Sequence, residues 1–532
     1  MKKFLLSACA LFLAVAANAQ VPGTSLWSQT HAAASETSAL YRRAPLAVAA
    51  DGSVVATGSF DQDLTIGATT LEPIATSAYV AKYSEQGAAL WAVALRGAAQ
   101  INAVSTDAEG NVFVAGTFAD AVIVGSTNEK TETIQGKANE NNKVSAFVAK
   151  YNAEGQLQAV RTILPTGEDL GMIGELMYAP EAGDVFVRPS KLQVADGKVY
   201  LSLFYTGNVA VDAVNWEGRY VNVWGFMAMD LPSAGILAFD AANLSNATAV
   251  ALYQNEEQLS DVDIRAEDVN FLLDGGQLYA AFVGSGKKVL TTAAGTEKFE
   301  TTAIYEGAQD HAFVVANIGA TTTVKLFNNA EHGEMYSTDL VRAMAVKDNN
   351  LYLGGTFFGK LPFNQEVASE GAADLFVAAL NKSDLSVQWA KASGVNEGDA
   401  TQLQEVMTGM LVKKDGVFAT GYTEKKGDRS VAGVLSFNFA ADGVSEANET
   451  RLVGATATNG KLFVANIIAD LTTTVAAYNV ATETAVAGVV ATEGTATAIF
   501  TLDGKRVTNE GALPVGIYLV KTGDAVRKLM VK

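Results

Sequence analysis

A short unit that recurs seven times is the feature that most constrains the fold of this chain. Each copy joins a turn-forming pair of residues to an apolar strand, and the copies recur at intervals of roughly 45 to 90 residues. The strands begin at Ser53, Asn111, Lys198, Gln277, Asn350, Gly416 and Lys461. One such unit cannot bury its apolar faces alone, so the copies are expected to stack on one another. Seven stacked copies predict a ring.

The first two units show that each copy holds four strands, named a to d in chain order. In the first unit LAVAADG leads into SVVATGSF, and SAYVAKY leads through a turn at 84–87 into AALWAVAL. The second unit repeats this order with NAVSTDAEG, NVFVAGTF, SAFVAKY and QLQAVRT. Asp-Gly and Glu-Gly pairs supply the positive φ angles that tight β-turns need. The strands are apolar on both faces, as expected for sheets that stack face to face.

The two ends of the repeat region complement each other. The seventh unit has a strand c at 475–479 but no strand d, whereas SLWSQT around Trp27 resembles the strand d sequences AALWAVAL and SVQWAKA. We therefore expect the N-terminal strand to complete the last sheet and remove its free edge. The predicted fold is all-β, a seven-bladed β-propeller of four-stranded blades over residues 20–480, with six or eight blades as alternatives.

The repeats resemble the bacterial β-propeller repeat family called SBBP, which reads much like DxxGNVYVTGxF followed by DAFVAKYDxxGNLxWAK. The best matches are Asp51–Phe60 with Ala78–Trp91 in the first unit, and Asp107–Phe118 with Ala146–Gly155 in the second. The fifth unit matches well and the other four match loosely. The resemblance implies an extracellular propeller and carries no catalytic residues.

The N-terminus predicts export. Two lysines precede an apolar run that ends in Ala17-Asn18-Ala19, a small-residue cleavage site, so residues 1–19 are predicted to be a signal peptide and the mature chain to begin at Gln20. A competing interpretation is the lipobox Leu6-Ser7-Ala8-Cys9, although too few residues precede its cysteine for an apolar segment. Cys9 is the only cysteine, so the mature chain is predicted to have no disulfide.

The charge of the chain excludes some partners. The formal net charge is −19, and it becomes −21 when the two lysines of the signal peptide are removed, because no acidic residue leaves with them. Such a chain repels phosphate backbones and anionic lipid, which argues against nucleic-acid and membrane-surface binding. No apolar stretch after the signal peptide is long enough for a transmembrane helix.

The C-terminal 484–532 segment differs in character from the repeats. It contains a strand, an Asp-Gly turn, a second strand, the sequence LPVGIYLVK and a basic terminal strand. This pattern resembles the C-terminal sorting domain of type IX secretion, and the matching residues are Asp503, Gly504, Leu513, Gly516, Ile517, Tyr518, Val520, Lys521 and Lys532. The resemblance implies a small β-sandwich-like domain that contacts secretion machinery, with periplasmic transit and a secreted or cell-surface destination. A structural cap on the propeller is the alternative.

Motifs for chemistry are scarce. The histidines are His31, His311 and His332, which are far apart and form no HxxxH or HExxH pair for a metal. The pairs Asp61/Asp63 and Asp261/Asp263 suit calcium, but exposed acidic loops are the favoured explanation for them. We predict no catalytic residue, no resident cofactor and no metal other than this possible calcium.

The long connections suggest where a ligand would bind. In a four-stranded meander the b–c and d–a connections lie on one face of the ring, and they hold most of the variation in length. The insertion in the third unit contains Trp216, Tyr220 and Trp224, whose rings could stack on a sugar or contact a peptide. We favour the simpler interpretation, in which these rings pack the insertion against its own sheet.

Three classes of function fit these observations. The first is an exported, cell-surface or secreted propeller that binds a glycan or a protein through its variable-loop face. The second is a secreted carbohydrate-active hydrolase or lyase, for which a pair of carboxylates would suffice. The third is a structural protein of the cell envelope without a small ligand. The sequence predicts a binding protein rather than an enzyme, because it shows no convergent catalytic pair.

Overall fold

A computed structural model provides the architecture of the chain. It describes the residues in the ranges 25–32, 45–136, 144–166, 185–223, 227–256, 269–284, 286–300, 303–305, 308–309, 312–328, 340–369, 373–393, 403–412, 416–425, 431–446, 455–458, 461–467, 472–479, 498–501, 506–507, 516–522 and 525–531. Every regular element within these ranges is a β-strand, so the prediction of an all-β repeat fold is confirmed. No helix in the described ranges is long and apolar enough to cross a membrane.

The first three units contain twenty of the strands in the described part of the chain. An N-terminal strand precedes them, β1 (Ser25–Ala32). Unit one contains β2 (Leu46–Val48), β3 (Val54–Phe60), β4 (Leu64–Ile66), β5 (Thr69–Leu71), β6 (Ser77–Tyr83) and β7 (Ala89–Arg96). Unit two contains β8 (Ala99–Thr106), β9 (Val112–Phe118), β10 (Val122–Val124), β11 (Glu132–Ile134), β12 (Ser145–Tyr151) and β13 (Leu157–Thr166). Unit three contains β14 (Val187–Ala195), β15 (Lys198–Tyr205), β16 (Asn208–Val211), β17 (Val214–Trp216), β18 (Arg219–Val223), β19 (Met227–Leu231), β20 (Ser233–Asp240) and β21 (Thr248–Asn255).

The remaining units and the C-terminal segment continue the pattern. Unit four contains β22 (Asn270–Asp274), β23 (Gln277–Gly284), β24 (Lys287–Thr292), β25 (Gly295–Glu300), β26 (Ala303–Tyr305), β27 (Ala308–Gln309), β28 (Ala312–Ile318) and β29 (Thr322–Asn328). Unit five contains β30 (Leu340–Lys347), β31 (Asn350–Phe357), β32 (Lys360–Leu361), β33 (Asn364–Ala368), β34 (Asp374–Asn381) and β35 (Val387–Ala392). Units six and seven contain β36 (Leu403–Val412), β37 (Val417–Lys425), β38 (Val431–Ala440), β39 (Gly443–Glu446), β40 (Ala455–Thr458), β41 (Lys461–Ile467) and β42 (Thr472–Asn479). The C-terminal strands are β43 (Ala498–Thr501), β44 (Arg506–Val507), β45 (Gly516–Thr522) and β46 (Ala525–Val531).

Each unit forms an antiparallel meander of strands a to d. In the described part of the chain these meanders are β2-β3-β6-β7, β8-β9-β12-β13, β14-β15-β20-β21, β22-β23-β28-β29, β30-β31-β34-β35, β36-β37-β38-β39, and β40-β41-β42 with β1 as its fourth strand. The C-terminal strands form a separate sheet in the order β44-β43-β45-β46.

The strands a lie at the centre of a closed cycle. Contacts run from β2 to β8, β14, β22, β30, β36 and β40 in turn, and β40 contacts β2 again. Strand β1 pairs with β42, so the N-terminal and C-terminal ends of the repeat region meet in one sheet. The arrangement is β-propeller-like, because similar sheets surround a common axis.

Apolar contacts between neighbouring sheets hold the cycle together. All seven residues of β6 and all seven of β9 are buried, so these strands bury both faces. One cluster joins Ala103 and Phe113 of unit two to Leu192 and Leu201 of unit three. Burial of apolar surface on both faces is the main source of stability for stacked sheets.

Hairpins also cross from one unit to the preceding sheet. The β10-β11 hairpin of unit two adds to β7, the β16-β17 hairpin of unit three adds to β13, and the β24-β25 hairpin of unit four adds to β21. In unit five the ring of Phe363, between β32 and β33, lies 4.7 Å from the ring of Phe327 on β29. Each of these sheets therefore depends on residues of the following unit.

A tryptophan on strand d docks onto the c–d turn of the next unit. The indole N–H of Trp91 donates to the carbonyl oxygen of Ala153 at 2.9 Å, and a Cβ added to Gly155 would lie 2.6 Å from the Trp91 ring. Trp27 repeats this arrangement over Gly87, with its indole nitrogen 2.8 Å from a carbonyl oxygen of that turn. The recurring Trp and Gly of the repeat are therefore contact partners in successive units.

His31 is a polar exception at the closing strand. It is 8% exposed, and its Nε2 lies 2.5 Å from the hydroxyl oxygen of Tyr83. Burial lowers the pKa of His31. In unit one Leu95 follows Trp91 at the same spacing as His31 follows Trp27. The counterpart of Tyr83 is Tyr151, whose hydroxyl is buried with no partner among the described residues.

We expect Gly155→Ala to destabilise the protein more than Gly110→Ala does. Both glycines have φ near +80°, at +80° and +79°, so either substitution costs about 1–2 kcal/mol in backbone strain. Only Gly155 lies against an indole ring, and overpacking there adds about 1–3 kcal/mol. Urea unfolding of the two variants measures the difference, and equal midpoints would contradict the docking role of Trp91.

The His31–Tyr83 contact predicts a pH dependence. Since the pKa of His31 is lowered in the folded state, the unfolded chain binds the proton more readily, and stability should be constant above about pH 6.5 and fall below it. His31→Leu, which introduces the residue found at the equivalent position in unit one, should remove this part of the acid sensitivity. Urea midpoints at pH 8 and pH 5 for wild type and variant test the prediction, and an identical loss in both would refute it.

Candidate functional site

Four of the central strands carry a β-bulge at the same point of the unit. The bulges lie between Ile101 and Ala103, Pro189 and Lys191, Val341 and Ala343, and Met407 and Gly409. The residues that the strand register skips at these bulges are Asn102, Ser190, Arg342 and Thr408. All four are polar and half-buried. Bulges recur near functional sites because they change the direction of a side chain.

Glycines on strand b make three of these bulges possible. Gly116, Gly355 and Gly421 lie opposite the residue that precedes the bulge in units two, five and six. A Cβ on any of them would collide with a carbonyl oxygen of the bulged strand. The absence of a side chain therefore lets the two backbones approach closely. The recurring glycine in NVFVAGTF and NLYLGGTF was the sequence signal for these bulges, and sequence reasoning missed it.

The bulges lie toward one end of the ring axis. Each is nearer to the start of strand a than to its end, except in β36, where it is near the middle. The start of strand a follows the d–a connection, so the bulges are directed toward the face that carries the d–a and b–c connections. Strand a is the innermost strand of each sheet. The edge of strand a that faces away from strand b therefore borders the axis.

Cationic side chains collect on two of these central strands. Arg188 and Lys191 are exposed on β14, and Arg342 is half-buried on β30. Burial lowers the pKa of Lys191 although solvent reaches its side chain. Both properties are expected of a cation that many protein atoms surround while its end still reaches solvent. The concentration of positive charge is notable in a chain whose formal net charge is −19.

Asn270 connects these strands. It lies on β22, between β14 and β30, and it is 6% exposed. Its Nδ2 donates to the carbonyl oxygen of Arg342 at 2.6 Å, while its Oδ1 has no partner among the described residues. Gln193 joins β14 to β22 through hydrogen bonds of 3.0 and 3.3 Å to the backbone of Leu273. The cationic strands are therefore held in a fixed order around the axis.

Among the three candidate aromatic residues, Trp216 lies in the core. Its side chain is 4% exposed, and its ring stacks on Tyr205 at 5.7 Å between centroids. A Cβ on Gly235 would collide with the same ring. Trp216 therefore packs in the core and is not a binding surface. Tyr220 lies on strand β18, and Trp224 lies outside the described residues.

The other predicted residues fall in different places. The predicted residues outside the described part of the chain are Ala17, Ala19, Gln20, Asp503, Gly504, Leu513, Lys532 and the Asp261/Asp263 pair. Strand β45 contains the other predicted sorting residues, which are Gly516, Ile517, Tyr518, Val520 and Lys521. Asp61 and Asp63 follow β3 at the start of the b–c connection. Within the described ranges no three His, Cys, Asp or Glu side chains are grouped as a metal site.

Comparison with known proteins gives distant similarities. No protein-family model matches the chain. An uncharacterized WD repeat-containing protein of Acanthamoeba polyphaga mimivirus is 27% identical over 162 residues, which cover 25% of this chain and only 11% of that protein.

Similar solved structures cover more of the chain at lower identity. The mitotic checkpoint complex matches at 11% identity with a TM-score of 0.37, over 86% of this chain and 95% of the other. The polysaccharide lyase Uly1 matches at 11% identity with a TM-score of 0.36, over 82% and 89%. The hemagglutinin-neuraminidase ectodomain of parainfluenza virus 5 matches at 9% identity with a TM-score of 0.33, over 87% and 84%. At TM-scores this low none of these proteins assigns a function to the chain.

Proposed function

We propose that this protein is a seven-bladed β-propeller that binds a glycan or a protein at the loop-side mouth of its axial channel. The observation that carries the proposal is the set of polar bulge residues at one equivalent point of four central strands. A structural role alone does not require polar, half-buried side chains there. Strained or irregular backbone that recurs around a cavity is typical of binding sites.

The charge of the channel mouth indicates the chemistry of the ligand. Arg188, Lys191 and Arg342 would form charge-assisted hydrogen bonds with a carboxylate or sulfate group. A protein of negative net charge repels such a ligand at most of its surface, so a cationic channel would also direct it to the site. We therefore propose an acidic glycan, or an acidic segment of a protein, as the ligand.

The proposed setting is outside the cell. Residues 1–19 would direct export, and residues 484–532 would act as a sorting domain that contacts the secretion machinery. Support comes from the sequence pattern and from the pairing of β43, β45 and β46, which places the GIYLVK strand at the middle of one sheet. The destination would be the cell surface or the medium.

We expect the double variant Lys191→Ser/Arg342→Ser to bind acidic polysaccharide about tenfold or more weakly than the wild type does. A hydrogen bond to a charged group contributes about 1.5–3 kcal/mol, so the loss of two is readily measured. A panel of uronate-containing, sulfated and neutral polysaccharides and acidic peptides provides the readout. Lys347→Ser, at the opposite end of β30, is the matched control and should bind normally. Equal binding by the double variant would overturn the axial site.

Export and sorting predict the form of the protein in its native cells. The expected product begins near Gln20, lacks about fifty C-terminal residues, since the sorting-like segment starts near residue 484, and lies outside the outer membrane. Intact mass combined with cell fractionation tests this directly. A periplasmic chain that still ends at Lys532 would contradict sorting and would leave the C-terminal sheet as a structural cap.

A further inference from the structure

A groove runs along the outer side of the first sheet, away from the axial channel. Its volume is about 560 Å³. One wall is formed by β5 and Glu72, and the other by residues 125–127, Thr131 and Glu154. The floor is strand β7 from Leu90 to Ala94.

The floor of the groove is an open strand edge. Strand β10 pairs with β7 only at Leu95 and Arg96. Gly125 adds one hydrogen bond, from its N–H to the carbonyl oxygen of Ala94 at 2.9 Å. The chain then turns back toward the sheet of its own unit, unit two, where the N–H of Thr127 donates to the carbonyl oxygen of Gly155 at 3.2 Å. No described strand therefore pairs with the outer edge of β7 between residues 90 and 93.

The register defines which groups this edge presents. Because the carbonyl oxygen of Ala94 points outward to Gly125, alternation along the strand turns the N–H and carbonyl of Ala92 outward as well. At a β-bulge in β7, Trp91 pairs with Lys82 and Ala89 pairs with Tyr83 of β6. Leu90 lies between them without a partner on β6, and it is 53% exposed. The floor thus offers backbone donors and acceptors beside one exposed apolar side chain.

The walls add side-chain chemistry that suits a peptide with a basic residue. Thr69, Thr70 and Thr131 are exposed and supply hydroxyl groups. The carboxylates of Glu72 and Glu154 are exposed on opposite walls, while Arg96 lies at one end. Acidic side chains on both sides of an extended backbone are complementary to a lysine or arginine that projects from it.

We propose that this groove binds an extended peptide of a partner protein, which adds to the outer edge of β7 as a further strand. Backbone hydrogen bonds to Ala92 hold the peptide, Leu90 contacts an apolar side chain, and Glu72 and Glu154 select a basic residue. The open edge accommodates about four to five residues at ~3.3 Å per residue. Strand addition to an exposed sheet edge is a general mode of peptide recognition.

The central test is Ala92→Pro. Proline removes the outward N–H of an edge strand without removing a hydrogen bond to the strand on the inner side, so the sheet should still form. Ala390→Pro is the matched control, because Ala390 follows Trp389 on β35 as Ala92 follows Trp91 on β7. A random heptapeptide display library is selected against the full-length wild-type protein, and the enriched peptides are then synthesised and measured by fluorescence anisotropy.

The expected peptides alternate β-forming residues and contain at least one lysine or arginine. Their affinity should fall at least tenfold in Ala92→Pro and stay within twofold in Ala390→Pro. If Ala92→Pro does not fold, the pair Glu72→Lys/Glu154→Lys provides the second test, and it should weaken basic peptides and tighten acidic ones.

Two results would overturn the proposal. One is the absence of any enriched peptide, and the other is enrichment of peptides whose binding is unchanged in the Ala92→Pro and charge-reversed variants. The site is independent of the axial channel, because Lys191→Ser/Arg342→Ser should leave the peptide affinity unchanged. Loss of peptide binding in that double variant would place the peptides at the channel instead and would also refute the groove.

Discussion

The whole structure depends on strands that are apolar on both faces. A sheet of this kind must be covered on each side, and a linear stack would leave two uncovered faces at its ends. A closed cycle of sheets removes both ends at once, because the last strand a contacts the first. The interlocking contacts follow from the same requirement, since an indole ring from one sheet covers the turn of the next.

The sequence predicted the local elements well. Every predicted start of strand b lies at the first residue of a strand or one residue before it, as with Ser53 before β3 and Lys198 at the start of β15. Turn pairs and runs of β-branched and aromatic residues are local signals, so a single sequence contains them. The existence of an all-β repeat fold followed directly from their recurrence.

The sequence did not predict which sheet each hairpin joins. The hairpins between strands b and c carry ordinary strand signals, and nothing in β16 or β17 indicates that they extend the preceding unit. Pairing is non-local, so it depends on the distance between units and not on propensity. The same reason applies at Trp216: its aromatic character was evident, but its burial depends on Tyr205 and Gly235, which the fold brings into contact with its ring. The glycines opposite the bulges mark points where two backbones approach closely, but in the sequence they were treated only as part of the strand pattern.

The pairing of β1 with β42 has a consequence for how the protein reaches this structure. Strand β1 is synthesised before every unit of the ring, yet its one strand partner among the described residues belongs to the last unit. Until that unit exists, the segment with Trp27 has apolar surface and an unpaired backbone, the properties that make a nascent chain prone to aggregation. A contact between such distant positions is slow to form, because the entropy of closing the whole loop must be overcome first. Ring closure should therefore be the last and slowest step of folding, and the first strand is the part of the repeat region that waits longest for its partner.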